Sequence, residues 1–324
     1  MQINIETTDD AARALQQIRG ELGRAVLGQD DVIDQVLITF LAGGHALLEG
    51  VPGLGKTLLV LALARAIGGT FSRIQFTPDL MPSDVTGHSM YNTATGQFTV
   101  RRGPVFANLL LADEINRAPA KTQAALLEVM QEQQVTIEGE PLALSPPFMT
   151  LATQNPIEME GTYPLPEAQL DRFLLKIAIA YPEADDEIAI VSQVCSGRIG
   201  DGLDVSTLTQ VIDPASAVLL QRKAAAVQVE DRVVAYAVRI VRATRSHSGI
   251  AVGAGPRGAI ALVRAGRAMA LMDGRDFATP DDIKAMALPA LRHRILLSPA
   301  LEIEGLQGDD ALAEILATVE APRS

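Results

Sequence analysis

Residues 50–57 read GVPGLGKT, which fits the spacing G-x-x-x-x-G-K-[ST], and they follow a short apolar run at 45–49. Glycines at three of these positions let the backbone curl so that successive N–H groups converge on an anion, while Lys56 adds a positive charge. The run at 56–67 predicts a helix, whose N-terminus favours phosphate. A strand, this loop and a helix in that order predict an α/β domain that binds a nucleotide. A plain glycine-rich turn before a helix is the alternative.

We expect residues 50–58, the phosphate loop, to contact the nucleotide along their whole length. Thr57 also offers a hydroxyl group of the kind that binds Mg²⁺ beside a phosphate. The expected nucleotide contacts are Gly50, Val51, Pro52, Gly53, Leu54, Gly55, Lys56, Thr57 and Leu58.

Length and composition favour two domains and a helix-rich α/β core. A chain of 324 residues is longer than most chains that fold around a single hydrophobic core, so we expect a main domain and a smaller one. Hydrophobic residues make up 48% of the chain but aromatic residues only 4%, with no tryptophan, which leaves mainly Ala, Leu, Ile and Val to fill the interior. Such a composition is typical of layered helices and sheet.

The formal net charge of −12 disfavours broad adhesion to nucleic acid or to an anionic membrane, although it is compatible with a local basic patch. The N-terminus lacks a basic segment followed by an apolar stretch, and polar residues and glycines interrupt the longest apolar candidate, 36–48. We therefore expect a cytoplasmic protein without membrane insertion. The single cysteine, Cys195, cannot form an internal disulfide, and we expect a structural thiol in a helix.

The pattern along the chain changes near residue 181. Before it, helices from Thr7 or Thr8 and from Asp30 precede short, continuous apolar runs typical of buried parallel strands, at 71–76, 107–112, 148–152 and 173–178. After it, the pattern is of helical segments only, including 186–196, 214–227, 231–247, 256–272 and 280–290. The predicted fold class is α/β: a core, 1–181, with a doubly wound parallel sheet and nucleotide at its strand ends, then a smaller all-helical domain, 182–324.

The strand predicted at 107–112 ends in two carboxylates, Asp113 and Glu114. In an enzyme with a phosphate loop, the first carboxylate typically holds Mg²⁺ through water, and the second orients and polarises the attacking water. The pair therefore points to hydrolysis as well as binding. Taken alone, two acidic residues at a strand end are more often a solvated loop or a helix cap.

These segments and their order resemble the AAA+ ATPases, and specifically the MoxR branch of that superfamily. The phosphate loop and residues 110–117 match the two nucleotide motifs of the family. Residues 26–29 are similar to the segment that the family places near the adenine, which implies a nucleotide contact at Gln29. The resemblance spans nearly the whole chain. It implies an AAA+ core followed by a helical lid domain, with ATP as the nucleotide and Mg²⁺ as the metal.

Residues 150–156, TLATQNP, resemble the sensor strand of the family. The resemblance implies that the Asn155 amide hydrogen-bonds the attacking water or the terminal phosphate. Without the family context, an asparagine in a turn before a proline is the alternative.

Two arginines acquire roles from the same resemblance. Residues 165–173 resemble the segment that carries the arginine finger, which implies that Arg172 faces the nucleotide of the next subunit; an ordinary ion pair with Asp171 or another carboxylate is the alternative. Residues 253–258 resemble the second sensor motif, which implies that Arg257 reads the terminal phosphate from the lid; a surface arginine at a helix start is the alternative. Whether Arg257 acts within its own subunit or across an interface stays open.

Two segments, 90–101 and 134–144, alternate apolar and polar residues around a glycine-containing turn and predict hairpins. They resemble insertions that this clade uses to touch substrates near a central pore, and plain sheet extensions are the alternative. In relatives that move DNA such hairpins present basic or aromatic residues, whereas the second one here offers Glu138 and Glu140 at its tip.

The function that the resemblance implies is Mg²⁺-dependent ATP hydrolysis by a homo-oligomeric ring, expected to be a hexamer. The ring would remodel, assemble or mature protein clients, including ones with a metal-binding adhesion-type domain. A metal-chelatase motor subunit is the first alternative. A DNA translocase is disfavoured by the net charge of −12, so nucleic acid is an unlikely partner. A nucleotide switch without hydrolysis is the remaining alternative.

Overall fold

The structure is a computed structural model that describes residues 5–51, 53–93, 96–155, 162–195 and 205–322. Of the segments predicted from the sequence, Pro52 of the phosphate loop, residues 94 and 95 of the first hairpin turn, residue 156 of the sensor segment and residue 196 of the helix at 186–196 lie outside these ranges. In chain order the strands are β1 (Ala46–Glu49), β2 (Phe71–Gln75), β3 (Gly87–Asn92), β4 (Gln97–Arg102), β5 (Leu109–Asp113), β6 (Gln134–Ile137), β7 (Glu140–Ala143), β8 (Met149–Gln154), β9 (Leu175–Ala178), β10 (Ile250–Val252) and β11 (Leu296–Leu297).

The helices surround these strands and make up most of the second half of the chain. In chain order they are α1 (Thr8–Ala25), α2 (Asp30–Leu41), α3 (Lys56–Ala66), α4 (Pro82–Thr86), α5 (Ala120–Glu132), α6 (Glu167–Leu170), α7 (Ala184–Cys195), α8 (Pro214–Ala226), α9 (Asp231–Thr244), α10 (Pro256–Met272), α11 (Pro280–Ala285), α12 (Ala287–Leu291), α13 (Pro299–Ile303) and α14 (Gly308–Thr318).

A five-stranded parallel sheet forms the core, in the order β2-β5-β8-β1-β9. The predicted parallel strands are confirmed. Strands β1, β5 and β8 are buried along nearly their whole length because helices cover both faces of a parallel sheet. Their carboxyl ends, at Glu49, Asp113 and Gln154, share one edge of the sheet. The phosphate loop leaves β1 between β8 and β9 and therefore lies at that same edge.

Strand β2 differs from its prediction as a buried apolar run. Ile74 is its buried residue, while Arg73 and Gln75 are exposed. The reason is position: β2 is an edge strand that pairs only with β5, so alternate side chains leave the core. Since residues two apart share a face, Arg73 and Gln75 project together beside the end of β5.

The predicted hairpins are both present. Strands β3 and β4 pair antiparallel from Gly87–Arg102 to Asn92–Gln97, and the rings of Tyr91 and Phe98 lie 5.2 Å apart on them. In the hairpin of β6 and β7, Glu138 and Gly139 join the strands with φ of 51° and 84°. Positive φ at both central residues is the two-residue turn that matches strand twist.

The second half of the chain is helical around α10, which contacts α1, α2, α8, α9, α11 and α12. Close packing explains the small residues of α10: a Cβ at Gly266 would lie 2.8 Å from Ile283. One feature was not predicted, a short antiparallel ladder between β10 and β11. The predicted helix at 280–290 is divided between α11 and α12 at Met286. Cys195 is exposed at the end of α7, so its prediction as a structural thiol is wrong.

The two halves share hydrophobic core. Buried residues of α1, α2 and the sheet pack in one cluster with those of α8, α9 and α10, and α12 contacts β9 directly. The division at residue 181 stays a prediction. None of the helices in the described ranges combines the length and hydropathy needed to cross a membrane.

Candidate active site

The phosphate loop has the backbone that anion binding requires. Gly53 and Gly55 adopt φ of 85° and 72°, a left-handed region that costs glycine little and other residues more. Helix α3 begins immediately afterwards at Lys56, so the unpaired N–H groups of its first turn and the positive end of its dipole face the loop. This geometry favours a phosphate group at the N-terminus of α3.

Close packing at Gly50 and one hydrogen bond from Gln29 hold the loop against the core. A Cβ at Gly50 would lie 2.7 Å from the backbone oxygen of Ile179, so only glycine fits where the loop leaves β1. The buried amide of Gln29 donates to the backbone oxygen of Leu54 at 3.1 Å. Gln29 therefore supports the loop from behind, and it does not line the cavity in front of it. Its predicted contact with the nucleotide stays a prediction.

Lys56 extends back over the loop, where its Nζ donates to the backbone oxygen of Gly50 at 2.5 Å. Burial lowers the pKa of Lys56 from its ordinary value, and the negative charges of Asp113, Glu114 and Glu49 oppose that shift. A half-buried ammonium group close to carboxylates and to a helix N-terminus is suited to the charge of a phosphate chain.

Asp113, at the end of β5, has both carboxylate oxygens engaged. Thr153, on the adjacent strand β8, donates its hydroxyl to Oδ1 at 2.6 Å. Arg73, on β2, lies on the other side and donates to Oδ2 at 2.5 Å. The parallel order β2-β5-β8 places these three residues side by side. Asp113 is thus oriented by its two neighbouring strands.

Glu114 follows Asp113 in a left-handed conformation, with φ 55° and ψ 50°. Such a backbone costs a residue with a side chain about 1–3 kcal/mol and persists only when its surroundings fix it. Its N–H donates to the Thr153 hydroxyl at 2.8 Å, and its carboxylate accepts from Gln75 at 2.8 Å and pairs with Arg117 at 3.0 Å. With this backbone held in place, Glu114 lies at the sheet edge and lines the same cavity as the phosphate loop.

These groups line one cavity of about 380 Å³, a size usual for small-molecule sites. Asn155 also lines it, buried just beyond the end of β8. The cavity therefore joins most of the residues predicted for binding and hydrolysis. Its lining residues are Gly53, Leu54, Gly55, Lys56, Thr57, Leu58, Arg73, Gln75, Asp113, Glu114, Thr153 and Asn155.

The two predicted arginines lie elsewhere. Arg172 and Arg257 line a second cavity of about 390 Å³, together with Arg264 and Arg294, and none of these residues lines the phosphate-loop cavity. Within the second cavity Arg257 lies 3.6 Å from the carboxylate of Asp171. The buried Nε of Arg172 has no hydrogen-bond partner among the described residues. The simple pairing of Arg172 with Asp171 is therefore not observed, because Asp171 pairs with Arg257 and Arg294.

Sequence reasoning missed Arg73, Gln75 and Thr153. Thr153 carried a signal, since it lies two residues before Asn155 in the predicted sensor strand. Arg73 and Gln75 also carried one, because two polar residues at alternate positions of a strand share a face. Their assignment required knowing that β2 lies beside β5.

The oxygen donors of the cavity fit a magnesium ion. Asp113 supplies a carboxylate and Thr57 a hydroxyl, both hard ligands, and Mg²⁺ in nucleotide sites usually takes one or two such protein ligands and completes its shell with phosphate and water. Asp113 is already held by Thr153, which fixes its direction. The chemistry of the donor set therefore agrees with the prediction.

A phosphate loop at the carboxyl edge of a parallel sheet, facing two carboxylates, defines a nucleotide hydrolase of the phosphate-loop class. Comparison with known proteins narrows this class. Residues 45–175 match the ATPase family associated with various cellular activities (AAA), and residues 242–315 match the AAA lid domain.

Proteins that are similar to this chain over nearly its whole length include a chaperone and a candidate ATPase. An uncharacterized protein, YeaC, of Bacillus subtilis is 47% identical over 93% of this chain and 92% of its own. The chaperone MoxR1 of Mycobacterium tuberculosis is 44% identical over 94% of this chain and 81% of its own. A crystal structure of a candidate ATPase from Cytophaga hutchinsonii has a TM-score of 0.90 and 41% identity, over 98% of this chain and 97% of its own. The chain belongs to the MoxR family of AAA+ ATPases.

Proposed function

We propose that this ATPase works as a ring, in which each phosphate-loop cavity is completed by Arg172 and Arg257 of the next subunit, and that it remodels or assembles protein clients. The observation that carries the proposal is the separation of two cavities in one chain. The carboxylates and the phosphate loop line one, while the two arginines line the other. Because an arginine stabilises phosphoryl transfer only at the phosphate, neither arginine serves its own loop in this arrangement.

The residues of one subunit have distinct tasks in this mechanism. Lys56 and the N–H groups of the loop bind the phosphate chain at the start of α3. Thr57 and Asp113 would hold Mg²⁺, which when bound neutralises phosphate charge. Glu114 orients the attacking water and takes its proton, and Asn155 hydrogen-bonds that water or the terminal phosphate.

The neighbouring subunit supplies positive charge to the transition state. Arg257 is exposed and Arg172 is half-buried in a cavity open to the surface, so the guanidinium groups of both can be presented to the phosphate of a neighbouring subunit. An arginine supplied by a neighbour makes turnover depend on assembly. The ring is expected to be a hexamer.

The hairpin of β3 and β4 supports a protein client. Tyr91 and Phe98 are 55% and 73% exposed, and their rings pack on each other rather than on the core. Exposed aromatic pairs are typical of surfaces that contact other proteins. A relative 44% identical to this chain bears the name chaperone MoxR1. Clients with a metal-binding adhesion-type domain remain part of the proposal.

Mixed subunits test the arrangement. Glu114→Gln subunits have a disabled cavity and intact arginines, whereas Arg172→Ala subunits have the reverse. Each variant alone should hydrolyse ATP slowly, and their mixture should regain activity because intact cavities meet intact arginines. The matched control replaces the first variant by the double variant Glu114→Gln with Arg172→Ala, which should regain nothing. Equal activity in the two mixtures would exclude the arginine of a neighbour.

Assembly is measured in parallel. The ATPase rate per subunit should rise with protein concentration as the mass, determined with and without ATP, rises from that of one subunit to that of a ring. A constant rate from a stable monomer would exclude shared active sites.

A further inference from the structure

Arg294 is the most enclosed of the arginines beside Arg172, with a side chain only 4% exposed. It lies in the turn that follows α12, far from Arg172 in sequence. Its Nε donates to Asp171 Oδ1 at 2.7 Å. Burial lowers the pKa of Arg294, and the Asp171 carboxylate opposes that shift. A buried cation of this kind is stable only with its partners in place.

Arg294 also holds the backbone on both sides of Arg172. One terminal nitrogen donates to the backbone oxygens of Asp171 and Phe173, at 3.2 and 2.6 Å. The other donates to the backbone oxygen of Leu174 at 3.1 Å and to that of Ala290. A guanidinium group, with five donors in one plane, can satisfy such a set of acceptors, whereas an ammonium group cannot.

The two residues before Arg294 in the same turn also contact backbone oxygens close to Arg172 in sequence. The Nε2 atom of His293 lies 3.1 Å from the backbone oxygen of Phe173, and Arg292 donates to that of Lys176 at 3.4 Å. The side chains of residues 292, 293 and 294 therefore all contact backbone oxygens of residues 171–176, the segment that leads into β9 and begins it. We call residues 292–294 the clamp turn.

The remaining oxygen of Asp171 faces α10. Its Oδ2 lies 3.6 Å from a terminal nitrogen of Arg257, while Oδ1 accepts from Arg294. One carboxylate thus connects both arginines, and it belongs to the residue next to Arg172. The Asp171 carboxylate thereby links Arg257 to the residue that precedes Arg172, and Arg294 of the clamp turn holds the backbone on both sides of Arg172.

We infer that Asp171 and Arg294 are positioning residues, which hold Arg172 and Arg257 as one unit and tie that unit to the clamp turn of the same subunit. The inference rests on the proposed action of these arginines on a neighbouring nucleotide. The consequence is that the conformation of one subunit would affect hydrolysis in the next subunit but not in its own cavity. A movement of the helical region against the sheet in one subunit would shift the arginines that it presents to the next cavity, without altering its own phosphate loop.

Asymmetric mixing of subunits tests this inference. In the parent mixture, Glu114→Gln subunits present arginines and Arg172→Ala subunits supply the working cavity. Asp171→Asn is then added to the presenting subunit or, separately, to the working one. In the presenting subunit it should lower the regained rate at saturating ATP by about tenfold, since small misplacements of a catalytic group have effects of this size. The KM for ATP should stay the same. In the working subunit it should have no effect.

A second buried pair provides the matched control. Arg275 and Asp282 form a similar ion pair at 2.7 Å, and neither residue lines the cavity that contains Arg172, so Asp282→Asn in the presenting subunit should not cause the loss. Arg294→Lys, which retains the charge but loses the planar fork, should reproduce the effect of Asp171→Asn. Ring mass and the affinity for a fluorescent ATP analogue show whether each variant folds and assembles.

The outcomes separate the two proposals. If the parent mixture regains no activity, the proposal that a neighbour supplies the arginines is wrong. The positioning role of Asp171 and Arg294, which rests on that proposal, is then wrong as well. If the parent mixture regains activity but Asp171→Asn has no effect, or lowers the rate equally in either subunit, the positioning role alone is wrong. Loss confined to the presenting subunit, in both Asp171→Asn and Arg294→Lys, is the expected result.

Discussion

Acid should weaken this fold through His45, which lies at the start of β1. The ring is buried, its Nε2 atom lies 3.0 Å from the backbone oxygen of Met130, and its Nδ1 accepts from the N–H of Thr150 at 2.9 Å. This geometry assigns the single proton of the neutral ring to Nε2. A second proton on Nδ1 would oppose the Thr150 N–H. Burial, followed by the charge of Arg264, lowers the pKa of His45 from 6.5 to about 4, while the Met130 oxygen opposes the shift.

The sign and size of the effect follow from this pKa. Between pH 6.5 and about 4 the unfolded chain binds a proton at His45 and the folded chain does not, so the free energy of unfolding falls as the pH falls. Each pH unit in that window is worth about 1.4 kcal/mol. The loss should therefore reach about 2 kcal/mol at pH 5 and about 3 kcal/mol near pH 4.

The substitution His45→Gln isolates this contribution. A glutamine amide offers one N–H group and one oxygen for the same two partners but does not titrate. Urea unfolding of both proteins at pH 7.5 and pH 5 gives the comparison. The parent should lose about 2 kcal/mol more than the variant between the two pH values. Burial also lowers the pKa of His293, but that residue is common to both proteins. Equal losses would refute the reasoning.

Three further predictions concern the site. Glu114→Gln should keep ATP bound but lower turnover about 100-fold or more, measured by nucleotide retention and phosphate release, and rapid ATP loss would contradict the assignment. Arg73→Met should free an oxygen of Asp113 and reduce the Mg²⁺ concentration that half-saturates nucleotide binding by about fivefold, because a half-exposed ion pair is worth up to about 1 kcal/mol; an unchanged concentration would contradict this. Replacing Tyr91 and Phe98 by serine should leave basal ATPase activity unchanged and lower the capture of an unfolded protein probe; equal capture would contradict a role in client contact.

The sequence predicted those parts of the molecule that are local. The loop at 50–57 and the carboxylates after β5 each lie within a few residues, and their residue types leave few alternatives. The buried strands β1, β5 and β8 were predicted for the same reason, since apolar runs of this length identify them without knowledge of their neighbours.

Other parts depend on which elements become neighbours, and the sequence does not state that. Arg73 appeared inside a predicted buried strand, and its contact with Asp113 follows only from the edge position of β2. Asp171, Arg257 and Arg294 are widely separated in the chain and meet because α12, which precedes the clamp turn, packs against β9, while α10 packs against α12. No spacing pattern connects them, so the carboxylate that joins both arginines was found only in the structure.

Ion pairs within one subunit involve the two carboxylates proposed to act in hydrolysis. In the described structure Asp113 pairs with Arg73 and Glu114 with Arg117, so each carboxylate that hydrolysis needs is already held by a cation of its own subunit. These ion pairs occupy carboxylate oxygens that a metal ion or a water molecule would otherwise contact. In the proposed mechanism the phosphates of ATP compete with these carboxylates for the arginines, and Arg172 arrives only with a neighbouring subunit. If the arginine comes from a neighbour as proposed, an isolated subunit binds nucleotide but hydrolyses it only slowly until it assembles.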